Sequence, residues 1–157
     1  MNRAAIYIET SVVSYLAARP SRDIIVAAHQ QLTLDWWENQ RHQYDLFISQ
    51  IVLEEAQAGD RQAAEKRLAA IENMPLLEID ESVIRLAETL VQSHAIPIKA
   101  VQDALHISVA CINGMDYLLT WNCKHIANAK MRSKIEQVCR EEGYVAPIIC
   151  TPEELED

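Results

Sequence analysis

Acidic side chains stand beside strand-like segments at several points in this chain. Glu9 follows a short apolar run, and Glu55 lies in the helix-like segment after the next such run. Asp103 lies in a mostly apolar helical segment, and Asn122 comes just after the strand-like run that follows it. Ligands of open α/β sheets bind beyond the carboxyl ends of the strands, so these side chains are candidates for one site. Carboxylates that converge there repel each other unless a cation neutralises them, and such oxygen ligands suit Mg²⁺ or Mn²⁺.

Each of these residues also has an ordinary interpretation. An acid within an apolar helix, such as Asp103, is costly unless it is paired. Lys99 lies four residues earlier and could form an ion pair with it, which on an exposed helix contributes roughly 0.2–0.5 kcal/mol. From composition alone, a structural Lys99–Asp103 pair and a metal ligand both remain open. Glu9 alone is typical of a charge at a strand end, and Glu54 and Glu55 are typical of the exposed face of an amphipathic helix.

Composition narrows the class of protein. Half of the 157 residues are hydrophobic, which excludes a disordered chain, and the length suits one domain, 1–157, with a core at about 4–150 and an acidic tail at 153–157. No apolar run approaches about 18 residues, so we expect no membrane span. The three glycines are far apart, which argues against a glycine-rich phosphate-binding loop. The apolar run before Glu9 is too short for a signal peptide and the four cysteines are widely spaced, so we expect a cytoplasmic protein with free thiols.

Charge is distributed unevenly along the chain. The net charge of −9 argues against a general electrostatic attraction to nucleic acid. A short stretch just after Asn122 nevertheless carries several basic residues and no acid. A local basic surface and the solvated side of a helix are both compatible with this stretch. Its basic residues are Lys124, Lys130, Arg132 and Lys134.

Strand-like and helix-like segments alternate along the sequence. Strands are expected at 4–8, 44–49, 75–79, 117–120 and 147–150. Helices are expected from Thr10 or Ser11 to about Ala18, at 22–40 with Ser21 as N-cap, at 50–58, from Asp60 onward, and at 81–92, 99–113 and 129–142. This alternation predicts right-handed crossovers and hence an α/β fold. We expect a three-layer α/β/α sandwich with a mostly parallel sheet of about five strands.

Four short motifs, in this order and spacing, resemble the PIN-domain family, which includes the VapC-like toxins. They are "IYIETSVVSYL", "ISQIVLEEAQAG", "DALHISVA" and "YLLTWNCKHI", and the resemblance covers about residues 4–150. It implies a doubly wound α/β sandwich whose acidic cluster binds Mg²⁺ or Mn²⁺ and cleaves RNA. Matched to this chain, the family's site positions fall on Glu9 with Thr10, on Glu55, on Asp103 with His106, and on Asn122, two residues after Thr120.

Two positions depart from the family pattern. The first and last acids are usually Asp, whereas this chain has Glu9, longer by one methylene, and the uncharged Asn122. Glu55 rather than Glu54 is matched to the second acid because the pattern puts that acid four residues before a glycine. Both departures are expected to lower the affinity for metal and the rate.

The resemblance implies a metal-dependent endoribonuclease, with the toxin of a toxin–antitoxin pair as one form. Glu9, Glu55 and Asp103 would hold one or two Mg²⁺ or Mn²⁺ ions, and Asn122 and Thr10 would orient water. The resemblance also implies an RNA substrate, an antitoxin partner and a homodimer. The helix with Trp36 and Trp37 is a candidate dimer surface, although two buried tryptophans explain the sequence as well. The residues expected to line the RNA path are Thr120, Lys124, Lys130, Arg132 and Lys134.

Two other functions remain open from the sequence. The departures at Glu9 and Asn122 are also compatible with a PIN-like module that has little or no catalysis and binds RNA or a protein partner. A phosphatase or another hydrolase of small substrates would use the same carboxylates.

Overall fold

The computed structural model describes residues 3–157; residues 1 and 2 of the predicted 1–157 domain lie outside this range. Five strands form one sheet in the order β3-β2-β1-β4-β5, and every neighbouring pair is parallel. This confirms the predicted α/β class and the predicted number of strands. The strands are β1 Ala5–Ile8, β2 Asp45–Ser49, β3 Leu76–Leu77, β4 Tyr117–Leu119 and β5 Ile148–Cys150.

Within residues 3–157, seven α-helices cover the two faces of this sheet. They are α1 Thr10–Ala17, α2 Ile24–Asn39, α3 Gln50–Gln57, α4 Arg61–Ile71, α5 Glu81–Gln92, α6 Val101–Ile112 and α7 Ala129–Glu141. Along the sheet, the chain moves from β1 to β3 in one direction and then returns to β4 and β5 on the other side of β1. Because the crossovers are right-handed, this reversal puts α1–α4 on one face of the sheet and α5–α7 on the other. Contacts among α1–α4 and contacts of α5 with α6 and α7 agree with this division. The result is the predicted three-layer sandwich.

The core lies between the sheet and both helical layers. The middle strands β1 and β4 are almost wholly buried, as expected for a parallel sheet that is covered on both faces. Helix α6 is buried on most sides, which confirms the interpretation of its apolar sequence. Trp36 is fully buried against the core, so it does not belong to the predicted Trp36–Trp37 surface; Trp37 is half-buried, with the guanidinium of Arg41 4.8 Å from its ring centre.

Several element ends differ from the sequence-based expectation. Helix α2 begins after Asp23, whose carboxylate accepts from the backbone N–H of Val26, and the predicted cap Ser21 instead accepts from the N–H of Asp23. Strand β3 has only two residues; it lies at the sheet edge and pairs with β2. Short 3-10 helices occur at Arg41–Gln43, Ile98–Ala100 and Pro152–Leu155.

Part of the predicted acidic tail belongs to one of these 3-10 helices. The helix Pro152–Leu155 is closed by a capping box between Thr151 and Glu154. Over residues 3–157, no helix has both the length and the apolar character needed to cross a membrane.

Candidate metal centre

The candidate site lies at the carboxyl edge of the sheet, where the strand order reverses. β2 and β3 extend the sheet on one side of β1, and β4 and β5 extend it on the other. The segments after β1 and β4 therefore diverge and leave a crevice, which is where open α/β sheets bind ligands. Glu9 directly follows β1, and its backbone N–H donates to the carbonyl of Leu119 at 3.1 Å. This bond places Glu9 beside Thr120, the first residue after β4.

The Glu9 side chain is buried, with 5% exposure, and folds back onto the start of α1. Its Oε2 accepts from the backbone N–H of Ser11 at 3.1 Å, so Glu9 itself is the N-cap of α1 in place of the expected Thr10 or Ser11. Its Oε1 accepts from the hydroxyls of Ser11 and Thr120, each at 2.5 Å. Buried carboxylates need such partners, and the helix N-terminus adds a favourable dipole. Glu9 therefore holds a fixed negative charge at the rim.

Glu55 enters the crevice from α3, while its neighbour Glu54 is exposed. One oxygen, Oε1, accepts from the hydroxyl of Thr10 at 2.5 Å and contacts Nε2 of His106 at 2.7 Å. Among residues 3–157, no hydrogen bond reaches the other oxygen, Oε2. The carboxylate is thus tethered through one oxygen, and the second oxygen remains available to a cation.

His106 connects Glu55 to the interior of the sheet. Its Nδ1 lies 2.7 Å from the hydroxyl of Tyr7 on β1, and that hydroxyl lies 2.8 Å from Oγ of Ser49 at the end of β2. All three side chains are fully buried. Ser49 occupies the expected position before α3, but its hydroxyl bonds Tyr7 and makes no cap to the helix. A chain of hydrogen bonds therefore runs from the core to the rim.

The pKa values of these buried groups are mutually dependent. Burial alone would lower the pKa of His106, but its hydrogen bond to Glu55 and the charges of Glu9, Glu55 and Asp103 raise that pKa above its usual value. Burial alone would raise the pKa of Glu55, but the hydrogen bond and charge of His106 lower it. Burial raises the pKa of Tyr7 far above its usual range, so its phenol stays neutral. The contact between Glu55 and His106 therefore favours the charged form of each side chain.

Asp103 faces the crevice from α6 and is half-buried. Its Oδ1 accepts from Nδ2 of Asn122 at 3.0 Å, and burial is the main reason that the pKa of Asp103 is raised. Lys99 is exposed, and in the part of the chain that the structure describes it forms no ion pair with Asp103. The helix-surface pair considered from the sequence is therefore not formed.

Asn122 makes different contacts from those expected. Its side-chain amide oxygen accepts from the backbone N–H of His125 at 3.1 Å, and the backbone N–H of Asn122 donates to Oγ1 of Thr120 at 2.9 Å. Because a backbone N–H needs an acceptor, the contact with His125 determines that the NH₂ group faces Asp103. The oxygen that was expected to orient water is thus used by the backbone, and the NH₂ group holds Asp103.

The donor set fits a divalent cation. Glu9, Glu55 and His106 each offer one ligand atom within 4.8 Å of the others. Asp103 lies outside this group in the described structure, although it faces the same crevice and, within residues 3–157, its Oδ2 accepts no hydrogen bond. Oxygen-rich donors with spare lone pairs are the ligands preferred by Mg²⁺ and Mn²⁺.

The predicted basic stretch divides into two kinds of residue. Arg132 is half-buried and donates to the carbonyls of Ala127 at 3.1 Å and Ile149 at 3.3 Å, with Glu154 3.8 Å away. Its guanidinium therefore ties α7 to β5 and to the C-terminal 3-10 helix. The other basic residues of the stretch are exposed; they are Lys124, Lys130 and Lys134.

Sequence reasoning did not assign Ser11, Tyr7 or Ser49 to the site. Ser11 could have been found, since a hydroxyl two residues after a strand-end acid is well placed to bond that acid. Tyr7 fell within the predicted strand 4–8, and Ser49 ended the predicted strand 44–49. The family resemblance matched His106 to the site together with Asp103, and the spacing of three residues puts both on one helix face.

Comparison with known proteins adds a likeness of fold. A chain in the crystal structure of VapBC2 from Rickettsia felis bound to a DNA fragment from their promoter superposes with a TM-score of 0.54 at 15% identity. The alignment covers 94% of this chain and 98% of that one. The fold is PIN-like. No protein-family model and no curated protein sequence matches the chain.

Proposed function

We propose that this chain is a PIN-domain endoribonuclease that hydrolyses RNA phosphodiester bonds with Mg²⁺ or Mn²⁺. The observation that carries the proposal is the cluster at the reversal of strand order, where Glu9, Glu55 and His106 each offer one ligand atom within 4.8 Å of the others and Asp103 faces the same crevice. Carboxylates that lie this close together repel each other, and a bound divalent cation would offset that repulsion. The proposed domain spans 1–157.

In this proposal each residue near the ion has a separate task. A bound divalent ion lowers the pKa of its water and stabilises charge on the scissile phosphate. Glu9, Glu55 and Asp103 would hold the ion. Thr10 holds Glu55 through its hydroxyl, and Asn122 holds Asp103 through its NH₂ group, so each of those carboxylates keeps one orientation.

The proposed RNA path continues from the crevice across the loop after β4. Thr120 lies at the start of this loop, and the basic stretch follows it. Arg132 takes part mainly by shaping this surface, since its guanidinium already binds protein carbonyls. Phosphate contacts are expected from Lys124, Lys130 and Lys134.

The biological setting is proposed from the fold likeness. The neighbouring structure is a VapBC2 complex, and a PIN-like toxin with an antitoxin protein as partner suits the present fold. A cytoplasmic location and a homodimer complete the proposal; with Trp36 buried, a dimer surface on α2 would have to use other residues.

A second candidate function is a PIN-like module with weak or no catalysis that binds RNA or a protein. The contacts of Glu9 favour it, because three hydrogen bonds already engage that carboxylate, and the uncharged Asn122 leaves one negative charge fewer. Restoring the family acids with Glu9→Asp and Asn122→Asp separates the two functions. Appearance of RNA cleavage from an inactive wild type would favour the binding module, whereas an active wild type would exclude it.

The first experiment is calorimetric titration of Mn²⁺ into the wild type and into Asp103→Ala. The proposal predicts binding in the wild type and strong weakening in the variant, together with RNA cleavage that requires the metal. Glu54→Ala is a matched control, since it removes an exposed acid from the same part of the molecule. Failure of the wild type to bind millimolar Mn²⁺ would contradict the proposal.

A further inference from the structure

The proposed metal site leaves His106 without a task, although this fully buried side chain contacts Glu55. We propose that His106 is a positioning residue that holds the metal ligand Glu55 in place, that Tyr7 and Ser49 hold His106 in turn, and that this chain sets the affinity for the divalent ion. The inference rests on the proposed function, since it assumes that Glu55 binds metal.

The first step of the argument is the tether on Glu55. Glutamate has a long side chain, and that of Glu55 is 32% exposed, so burial alone does not determine its orientation. Two donors from different helices meet its Oε1: the hydroxyl of Thr10 on α1 at 2.5 Å, and Nε2 of His106 on α6 at 2.7 Å. Two bonds to one oxygen restrict rotation of the carboxylate, and within residues 3–157 Oε2 accepts no hydrogen bond.

The second step is the support behind His106. An imidazole held only through Nε2 could still rotate about its bond to the chain. Here Nδ1 contacts the hydroxyl of Tyr7 at 2.7 Å, and this hydroxyl contacts Ser49 at 2.8 Å. Tyr7 and Ser49 belong to adjacent paired strands, so the rigid sheet determines where the ring lies. Such supporting residues typically change metal affinity by about 10–100-fold when they are replaced.

Direct ligation of the ion by His106 is the competing role. Both ring nitrogens already contact protein groups, and Nε2 would have to leave Glu55 before it could bind a metal. The free oxygen of Glu55 needs no such exchange. The geometry therefore favours an oxygen-ligated ion with His106 behind it.

Two neutral substitutions at one position separate these roles. In His106→Gln, the longer side chain brings its NH₂ group near the place of Nε2 and can still donate to Glu55. In His106→Asn, the shorter side chain brings its amide near the place of Nδ1, so it can reach Tyr7 but not Glu55. Both variants lack the imidazole charge, so a difference between them does not come from that charge but from which partner, Glu55 or Tyr7, the amide can reach.

The measurement is the Kd for Mn²⁺ by calorimetry on the full chain. We expect about 10–100-fold weaker binding in His106→Asn and a smaller loss in His106→Gln, which keeps the contact with Glu55 but not the one with Tyr7. Ser108→Ala is the matched control: it removes a buried hydroxyl from α6 that bonds the carbonyl of Val83, away from the site. Its Kd should equal that of the wild type, and thermal unfolding verifies that all variants are folded.

Nitrogen coupling to bound Mn²⁺, measured by electron spin echo spectroscopy, provides a second readout. We expect none from an imidazole in the wild type. Imidazole coupling, or equal weakening in the Gln and Asn variants, would overturn the positioning role in favour of direct ligation. Equal Kd values for wild type and His106→Asn would also overturn it.

Two further outcomes distinguish the failure of each proposal. Absence of Mn²⁺ binding in the wild type would refute the proposed function itself, whereas wild-type binding with insensitive variants refutes only the role of His106. If His106→Asn does not fold, Tyr7→Phe tests the same chain by removing its support. A weakened Kd in that variant supports the inference, and an unchanged Kd overturns it.

Discussion

Replacing Thr120 with Val tests how the buried charge of Glu9 is stabilised in the metal-free protein. Thr120 Oγ1 donates to Glu9 at 2.5 Å and accepts from the backbone N–H of Asn122 at 2.9 Å, and Val keeps the branched shape while removing both bonds. A hydrogen bond to a charged group contributes about 1.5–3 kcal/mol, and an unsatisfied buried N–H costs about 1–3 kcal/mol. Asn122 is half-buried, so water can replace part of the second bond. We expect unfolding free energy to fall by about 2–4 kcal/mol out of a total of about 5–15 kcal/mol.

The assay is urea unfolding at pH 7 in the presence of a chelator, with the same substitution also made in Glu9→Gln. If Thr120 stabilises the charge of Glu9, Thr120→Val should lower the unfolding free energy by at least about 1 kcal/mol less in the Glu9→Gln protein than in the wild type. The double-mutant cycle measures this difference. Thr33→Val is the matched control, because Thr33 is equally buried and its partners are uncharged. Among the described residues, its hydroxyl donates to the backbone carbonyl of His29 and accepts from the indole N–H of Trp121. Its cost should be the same in both backgrounds. A cost for Thr120→Val that Glu9→Gln leaves unchanged would refute the reasoning.

The remaining predictions concern pH and RNA. The pKa of His106 is raised in the folded protein, so protonation of His106 stabilises the fold. This contribution to the unfolding free energy is complete below the unfolded pKa of 6.5 and is lost as the pH rises through the folded pKa. The urea midpoint of the metal-free protein should decline over that range, and His106→Gln should remove the decline. The folded pKa of Glu55 is lowered, so its contribution is present above the unfolded value of 4.5 and is lost as the pH falls through the folded pKa, which the acid limb of the same titration measures. Replacing the exposed lysines with Ala should weaken RNA binding and reduce the slope of log K against log salt by about 0.7 per lost phosphate contact, and an unchanged slope would exclude them from the RNA path. Arg132→Ala should chiefly lower the urea midpoint, since its partners are protein carbonyls. The lysines are Lys124, Lys130 and Lys134.

Much of the fold was predictable because its signals are local. Each strand is a short run rich in β-branched or aromatic residues, and each helix carries apolar residues at helical spacing. The predicted ends of helices were less accurate where two nearby residues are both suited to be the N-cap. Ser21 and Asp23 are both good N-caps; in the structure Asp23 caps α2, while the Ser21 N–H donates to Gln30 further along the same helix. Local sequence carries no information about that contact.

The placement of the acids was predictable in part, because residues that follow parallel strands meet at one edge of the sheet. Glu9 was named on that basis, whereas Asp103 was named as an acid in the apolar helix that leads to β4, and Glu55 from its distance to the glycine in the family pattern. The state of each carboxylate was not predictable. Whether Glu9 is free or already bonded depends on Thr120, which is 111 residues away and becomes its neighbour only through the pairing of β1 with β4.

The chain from Ser49 through Tyr7 and His106 to Glu55 shows why such support is hidden in a single sequence. Its contacts span 42, 99 and 51 residues, and each member also suits an ordinary role: a tyrosine in a buried strand, a serine at a helix start, a histidine on an apolar helix. Only the sheet register brings Tyr7 and Ser49 together, and only the packing of α6 on the sheet adds His106. A buried hydroxyl on a strand is costly unless it is bonded, so Tyr7 in the apolar run before Glu9 requires a polar partner within the core. That requirement is what a sequence can reveal: a tyrosine two residues before a strand-end acid indicates that polar groups continue beneath the site, although it does not identify them.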